Sequence, residues 1–186
     1  MSMNRIALLL AGVVLAVIVW WVASRPGPEA EPIDLIARYG EAEKRSSLPT
    51  GQAFGVAEVD IAGERRRSIL MHPTSRLTFR VRLPEDAWLR TWLGIRPEAW
   101  ERTTDGVLFR FGVSDGRNYD ELITYHVDPR HNPGDRAWIP LTVDLAPYGG
   151  EDVELIFNTN SSPPGAGDDA SYDWAVWAAP EVYVEP

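Results

Sequence analysis

Ser75-Arg76-Leu77-Thr78-Phe79-Arg80-Val81-Arg82-Leu83 sets Leu77, Phe79, Val81 and Leu83 in strict alternation with Arg76, Thr78, Arg80 and Arg82. Successive side chains of an extended chain point to opposite faces, so this stretch predicts a strand with one buried and one wet face. The period of two recurs in Val107/Phe109/Phe111/Val113, in Ile139/Leu141/Val143/Leu145 and in Val153/Leu155/Phe157/Thr159. Tyr119–Val127 and Glu181–Val184 also predict strands. Turn-forming sequences separate them: Asp105-Gly106, Ser114-Asp115-Gly116, Asn132-Pro133-Gly134-Asp135 and Pro147-Tyr148-Gly149-Gly150. No helical period follows residue 50. Residues 51–186 are therefore expected to fold as an all-β antiparallel sandwich.

The start of the chain obeys a different rule. Ile6–Ala23 is uncharged and apolar and closes on Trp20 and Trp21. Such a run makes about 27 Å of helix, close to the thickness of a bilayer's hydrocarbon core. Its length exceeds the apolar part of a cleaved signal, so a retained single-pass anchor is expected, with Trp20 and Trp21 in the far interface. Arg5 precedes the run, and an acidic, proline-rich segment follows it. That contrast places the N-terminus in the cytoplasm and residues 25–186 outside it. The expected organisation is an anchor over 1–24, a linker and amphipathic stalk helix over 25–50, and the β-sandwich over 51–186. The stalk expectation rests on Pro32 at a helix start and on Ile33, Ile36, Ala37 and Gly40 along one face.

The whole net charge of −9 falls on residues 50–186, since the first 49 residues hold five charges of each sign. An acidic surface argues against nucleic acid as a partner. The absence of cysteine excludes disulfides, thiol nucleophiles and zinc ribbons. Gly112-Val113-Ser114-Asp115-Gly116 matches a nucleophile-elbow pattern, but that motif needs a strand running into a helix, and here it lies between two strands. His72, His126 and His131 are too scattered for a metal signature. No catalytic set emerges, and the chain is expected not to be an enzyme.

Leu93–Trp100, Gly106–Val113, Trp138–Tyr148, Val153–Thr159 and Asp173–Pro180 together resemble the galactose-binding-like jelly roll of many carbohydrate-binding modules. They also resemble extracytoplasmic β-domains attached to bacterial membrane proteins. The sequence departs from that pattern after Trp177, where Ala178-Ala179-Pro180 stands in place of a Gly and an acidic residue before the Pro. The resemblance implies a bacterial inner-membrane protein with a periplasmic domain. It also raises a structural calcium, with Asp168 and Asp173 of the acidic loop Gly167–Asp173 as candidate ligands; turn formation by the same residues is the alternative. No other cofactor is expected.

Of six tryptophans in the domain, Trp138 and Trp174 are expected in the core. Trp88, Trp92 and Trp100, in a segment of poor alternation with Arg96, are expected to face a partner or a glycan. The first functional expectation is a non-catalytic scaffold subunit that stabilises a larger inner-membrane complex of respiratory, photosynthetic or envelope-assembly type, its partners being the lipid bilayer and neighbouring subunits. The alternative is a membrane-tethered carbohydrate-binding module.

Overall fold

A computed structural model describes residues 31–102, 105–161 and 170–184. Its strands are β1 (Ile33–Asp34), β2 (Glu43–Ser46), β3 (Phe54–Ile61), β4 (Glu64–Met71), β5 (Ser75–Arg82), β6 (Ala87–Ile95), β7 (Val107–Ser114), β8 (Tyr119–Val127), β9 (Ile139–Asp144), β10 (Asp152–Asn160) and β11 (Ala175–Val184). A single helical turn, α1 (Thr50–Ala53), precedes β3. The first sheet runs β3-β4-β11-β6-β9, with β1 added beside β11; the second runs β2-β5-β10-β7-β8. Every pairing is antiparallel. This is the expected all-β sandwich, and Glu31–Pro186 is one compact unit.

The alternating stretch is β5, and its Leu77, Phe79 and Val81 are buried while Arg76, Arg80 and Arg82 are exposed. Phe111 of β7 and Phe157 of β10 add to the same inner face. Leu89, Leu93 and Ile95 of β6 and Trp177 of β11 come from the opposing sheet. Trp177 meets Phe157 and Phe109 edge-on at 4.9 and 5.2 Å between ring centres. Edge-to-face pairs of this kind add about 0.5–1.5 kcal/mol each beyond the area they bury.

The stalk helix is corrected by the structure. Ile33-Asp34 pairs with Val182-Glu181 of β11, and Glu43–Ser46 pairs with β5 at the edge of the other sheet. Between them the chain turns, because the Asp34 carboxylate accepts the N–H groups of Ile36 and Ala37 at 2.7 and 3.0 Å. An Asp that ties up the next N–H groups in this way favours a turn over helix propagation. Leu35 and Ile36 then enter the core. Residues 33–46 therefore join the two sheets as strand, turn and strand in place of a helix. The predicted anchor, with Trp20 and Trp21, lies outside the described residues. Among the described residues no helix is long and apolar enough to cross a membrane.

A second apolar cluster covers the outer side of the first sheet. Val59, Ile61, Val176, Ala178 and Trp138 form it, and Leu70, Trp92 and Trp100 pack against it. Trp138 is buried as expected, yet in this outer layer and not between the sheets. Its Nε1 donates to the Glu64 carbonyl at 2.8 Å, which holds the indole over the end of the β3–β4 hairpin.

Candidate functional site

The residues expected to face a partner do not form one platform. Along β6, Ala87, Leu89 and Leu93 point inward, so Trp88, Arg90 and Trp92 share the outer face. Trp88 and Trp92 stand four residues apart, about 13 Å along the strand. Trp88 lies opposite Tyr183 and Asp144. Trp92 has the Arg66 guanidinium 3.7 Å from its ring centre, so one indole face is already covered. Trp100 donates from Nε1 to the Ile95 carbonyl at 2.8 Å and packs into the outer cluster. These three are half-buried. Arg96 separates from them and joins Trp174.

That junction sits at one end of the first sheet, where α1 enters β3, β4 ends, β6 ends and β11 begins. A cavity of about 300 Å³ opens there, lined by Gln52, Phe54, Leu70, His72, Arg96 and Trp174, among others. Its size is at the lower end for small-molecule sites. The Arg96 N–H donates to the Trp174 carbonyl at 3.0 Å, locking the two segments together. The Arg96 guanidinium lies 5.1 Å from the Trp174 ring centre, within cation–π range. Tyr172 continues the series at 6.1 Å from Trp174, and Arg102 lies 5.3 Å from the Tyr172 ring. Glu98 bonds Arg96 at 2.9 Å. A hydrogen bond from its own backbone N–H holds the Glu98 carboxyl below the ordinary value; burial opposes this and Arg96 adds to it.

The arrangement offers a flat indole beside a guanidinium, an imidazole and a carboxamide. Apolar faces with a few placed polar groups suit a small polyhydroxylated ligand. Trp174 was expected in the core, and it is half-buried. The signal that pointed elsewhere was Tyr172 two residues earlier, in a segment where apolar alternation has not yet begun.

The remaining candidates resolve simply. Asp168 lies outside the described residues. Asp173 is fully buried. Among the described residues no group of three or more His, Cys, Asp or Glu side chains is placed to hold a metal. Ser114 ends β7, and its Oγ accepts the Gly116 N–H at 3.0 Å, which is hairpin chemistry. His72, His126 and His131 each meet a different local partner, at Pro73, Asp105 and Asp128.

The fold is the galactose-binding-like jelly roll found in carbohydrate-binding modules. No family model matches the chain. It is 36% identical over 102 residues to an uncharacterised protein of Archaeoglobus fulgidus, which is 54% of this chain and 25% of that protein. The chain thus spans about a quarter of the curated relative it matches. Among solved structures it is similar to the M60 catalytic domain with the CBM51-1 and CBM51-2 domains of Clostridium perfringens ZmpB, at TM-score 0.55 and 16% identity, covering 76% of this chain and 14% of that one. It is also similar to CBM51-2 with GlcNAc and the INT domains of the same protein, at TM-score 0.52 and 17% identity, covering 84% and 32%. At such identities the likeness establishes the fold.

Proposed function

We propose that residues 31–186 form a non-catalytic glycan-binding module that takes a sugar ring in the end cavity against Trp174. The observation that carries this reading is the half-buried indole, braced by Arg96, on the rim of a small cavity in a jelly roll of carbohydrate-binding type. One similar structure holds GlcNAc on its own module, which supports a saccharide as the ligand class. Of the two functional expectations, the fold likeness favours the glycan-binding one over the scaffold subunit. In this proposal Ile6–Ala23 tethers the module to a bacterial inner membrane, with Trp20 and Trp21 at the outer interface and the sandwich outside the cytoplasm.

The test is a glycan array probed with the full-length chain, followed by titration of any hit against Trp174→Ala. Loss of the indole should weaken binding at least tenfold, about 1.4 kcal/mol, while the circular dichroism spectrum stays unchanged. A silent array, or a folded Trp174→Ala variant that binds as well as the parent, refutes the assignment.

A further inference from the structure

On the outer face of the second sheet, most charges pair across strands: Arg80 bonds Glu154 at 3.0 Å and Arg82 bonds Asp152 at 2.9 Å. One row breaks this pattern. Arg45 of β2 stands opposite Arg76 of β5, Arg76 opposite Asn158 of β10, and Asn158 opposite Arg110 of β7. Like charges placed directly opposite one another destabilise a sheet, and Arg45 and Arg76 are such a pair, while Arg76 and Arg110 flank the Asn158 amide. Arg45 has Glu43 as a partner and Arg110 has Glu121 at 3.2 Å. Among the described residues no carboxylate pairs with Arg76, whose Nε donates instead to Asn158 Oδ1 at 2.8 Å.

Asn158 is only 4% exposed, and its Nδ2 has no partner. Arg110 Nε and Asn160 Oδ1 are buried and unpartnered beside it. A buried polar group left without a hydrogen bond keeps its full desolvation penalty. All three residues line one cleft of about 350 Å³, together with Arg45, Thr74 and Arg76. Two unanswered donors next to a guanidinium with no carboxylate partner among the described residues call for an anionic acceptor, while Asn160 Oδ1 calls for a donor. A sulfate carries no proton at neutral pH and answers only the first demand. A carboxylate on a ring that also carries hydroxyl groups answers both.

A flat surface stands nearby. Tyr119 of β8 is 41% exposed, and its ring lies across Gly112, where a Cβ would come within 2.6 Å of it. Gly112 is two residues from Arg110 on β7, about 7 Å along the strand. Burial pushes the Tyr119 phenol up, Glu121 adds to this, and Arg110 and Arg76 oppose it. The ring therefore feels the same guanidiniums and gives the C–H face of a sugar something to stack on.

We infer that this cleft binds a uronate, with its carboxylate between Arg76 and Arg110 on the Asn158 amide and a ring hydroxyl donating to Asn160. The inference rests on the reading of the fold as a glycan-binding module, but it uses a different surface from the Trp174 cavity.

The test follows the side-chain amide and guanidinium ¹⁵N signals of the full-length chain during titration with D-galacturonate and D-glucuronate, then with D-galactose, D-glucose and sodium sulfate. A uronate is expected to shift the Asn158 amide and to bind at least tenfold tighter than its neutral counterpart. Arg76→Gln, an exposed change that leaves the core intact, should weaken uronate binding at least tenfold, and Trp174→Ala should leave it unchanged. Absence of a shift with either uronate overturns the inference, as does equal affinity for the neutral sugar or for sulfate, or unaltered binding by Arg76→Gln. Neutral-glycan binding through Trp174 without any uronate response would sink this site alone. A uronate response with a silent neutral array would sink only the Trp174 cavity.

Discussion

At the scale of single residues, Gly94 explains why a sheet can be buried on both sides. A Cβ there would meet Ile61 Cδ1 at 2.6 Å and two Trp138 ring carbons at 3.3 Å. The missing side chain is what lets the indole lie on β6. Gly94→Ala should therefore destabilise the fold by about 1–3 kcal/mol through overpacking, read as a lower urea midpoint. Asp128 gives a pH-dependent counterpart. Burial pushes its carboxyl up, but hydrogen bonds from the His131 ring and from the His131 and Arg130 backbone outweigh that and hold it below the ordinary carboxylate range. A depressed folded-state pKa contributes stability that is present above the unfolded value of about 3.9 and is lost as pH falls through the folded one. Urea melts from pH 6 to pH 2.5 should show a steeper acid loss for the parent than for Asp128→Asn; equal slopes would contradict it.

At the scale of elements, the alternating strands were legible because a half-buried strand writes its own pattern. Ser75–Leu83 and Val153–Thr159 appear as β5 and β10 with the inward set expected from their spacing. Residues 33–46 depart from the expected helix for a physical reason. Ile33, Ile36, Ala37 and Gly40 fit a helical face, but Asp34 captures the N–H groups of Ile36 and Ala37 and bends the chain into the core. The two accounts differ at Leu35, which lies off the apolar face of the expected helix and is fully buried here. Leu35→Ala should cost about 2–5 kcal/mol in equilibrium denaturation, whereas a position off the packed face of a helix would cost next to nothing. Another departure is at Ala179, where φ is +41° at the irregularity in β11. A non-glycine residue pays for that backbone, and it is the stretch where the resemblance led one to expect a Gly.

At the scale of the whole molecule, the architecture was more legible than the site. Tryptophans announce themselves in a sequence, but which sheet face each one meets depends on register and on who packs above it. Trp92 and Trp100 therefore turn out braced by Arg66 and by the outer cluster, while Trp174 lines a cavity. The Arg45–Arg76–Asn158–Arg110 row was illegible for the same reason: its members are far apart in the chain, and only strand order places them side by side. Strand order has one more effect. β1 lies directly against β11, Ile33 beside Val182, so the path into the sandwich and the path out of it meet at one seam. A body built this way occupies little more room in its host's backbone than a tight loop would, and evolution can graft it into or onto unrelated proteins without reworking either party's core.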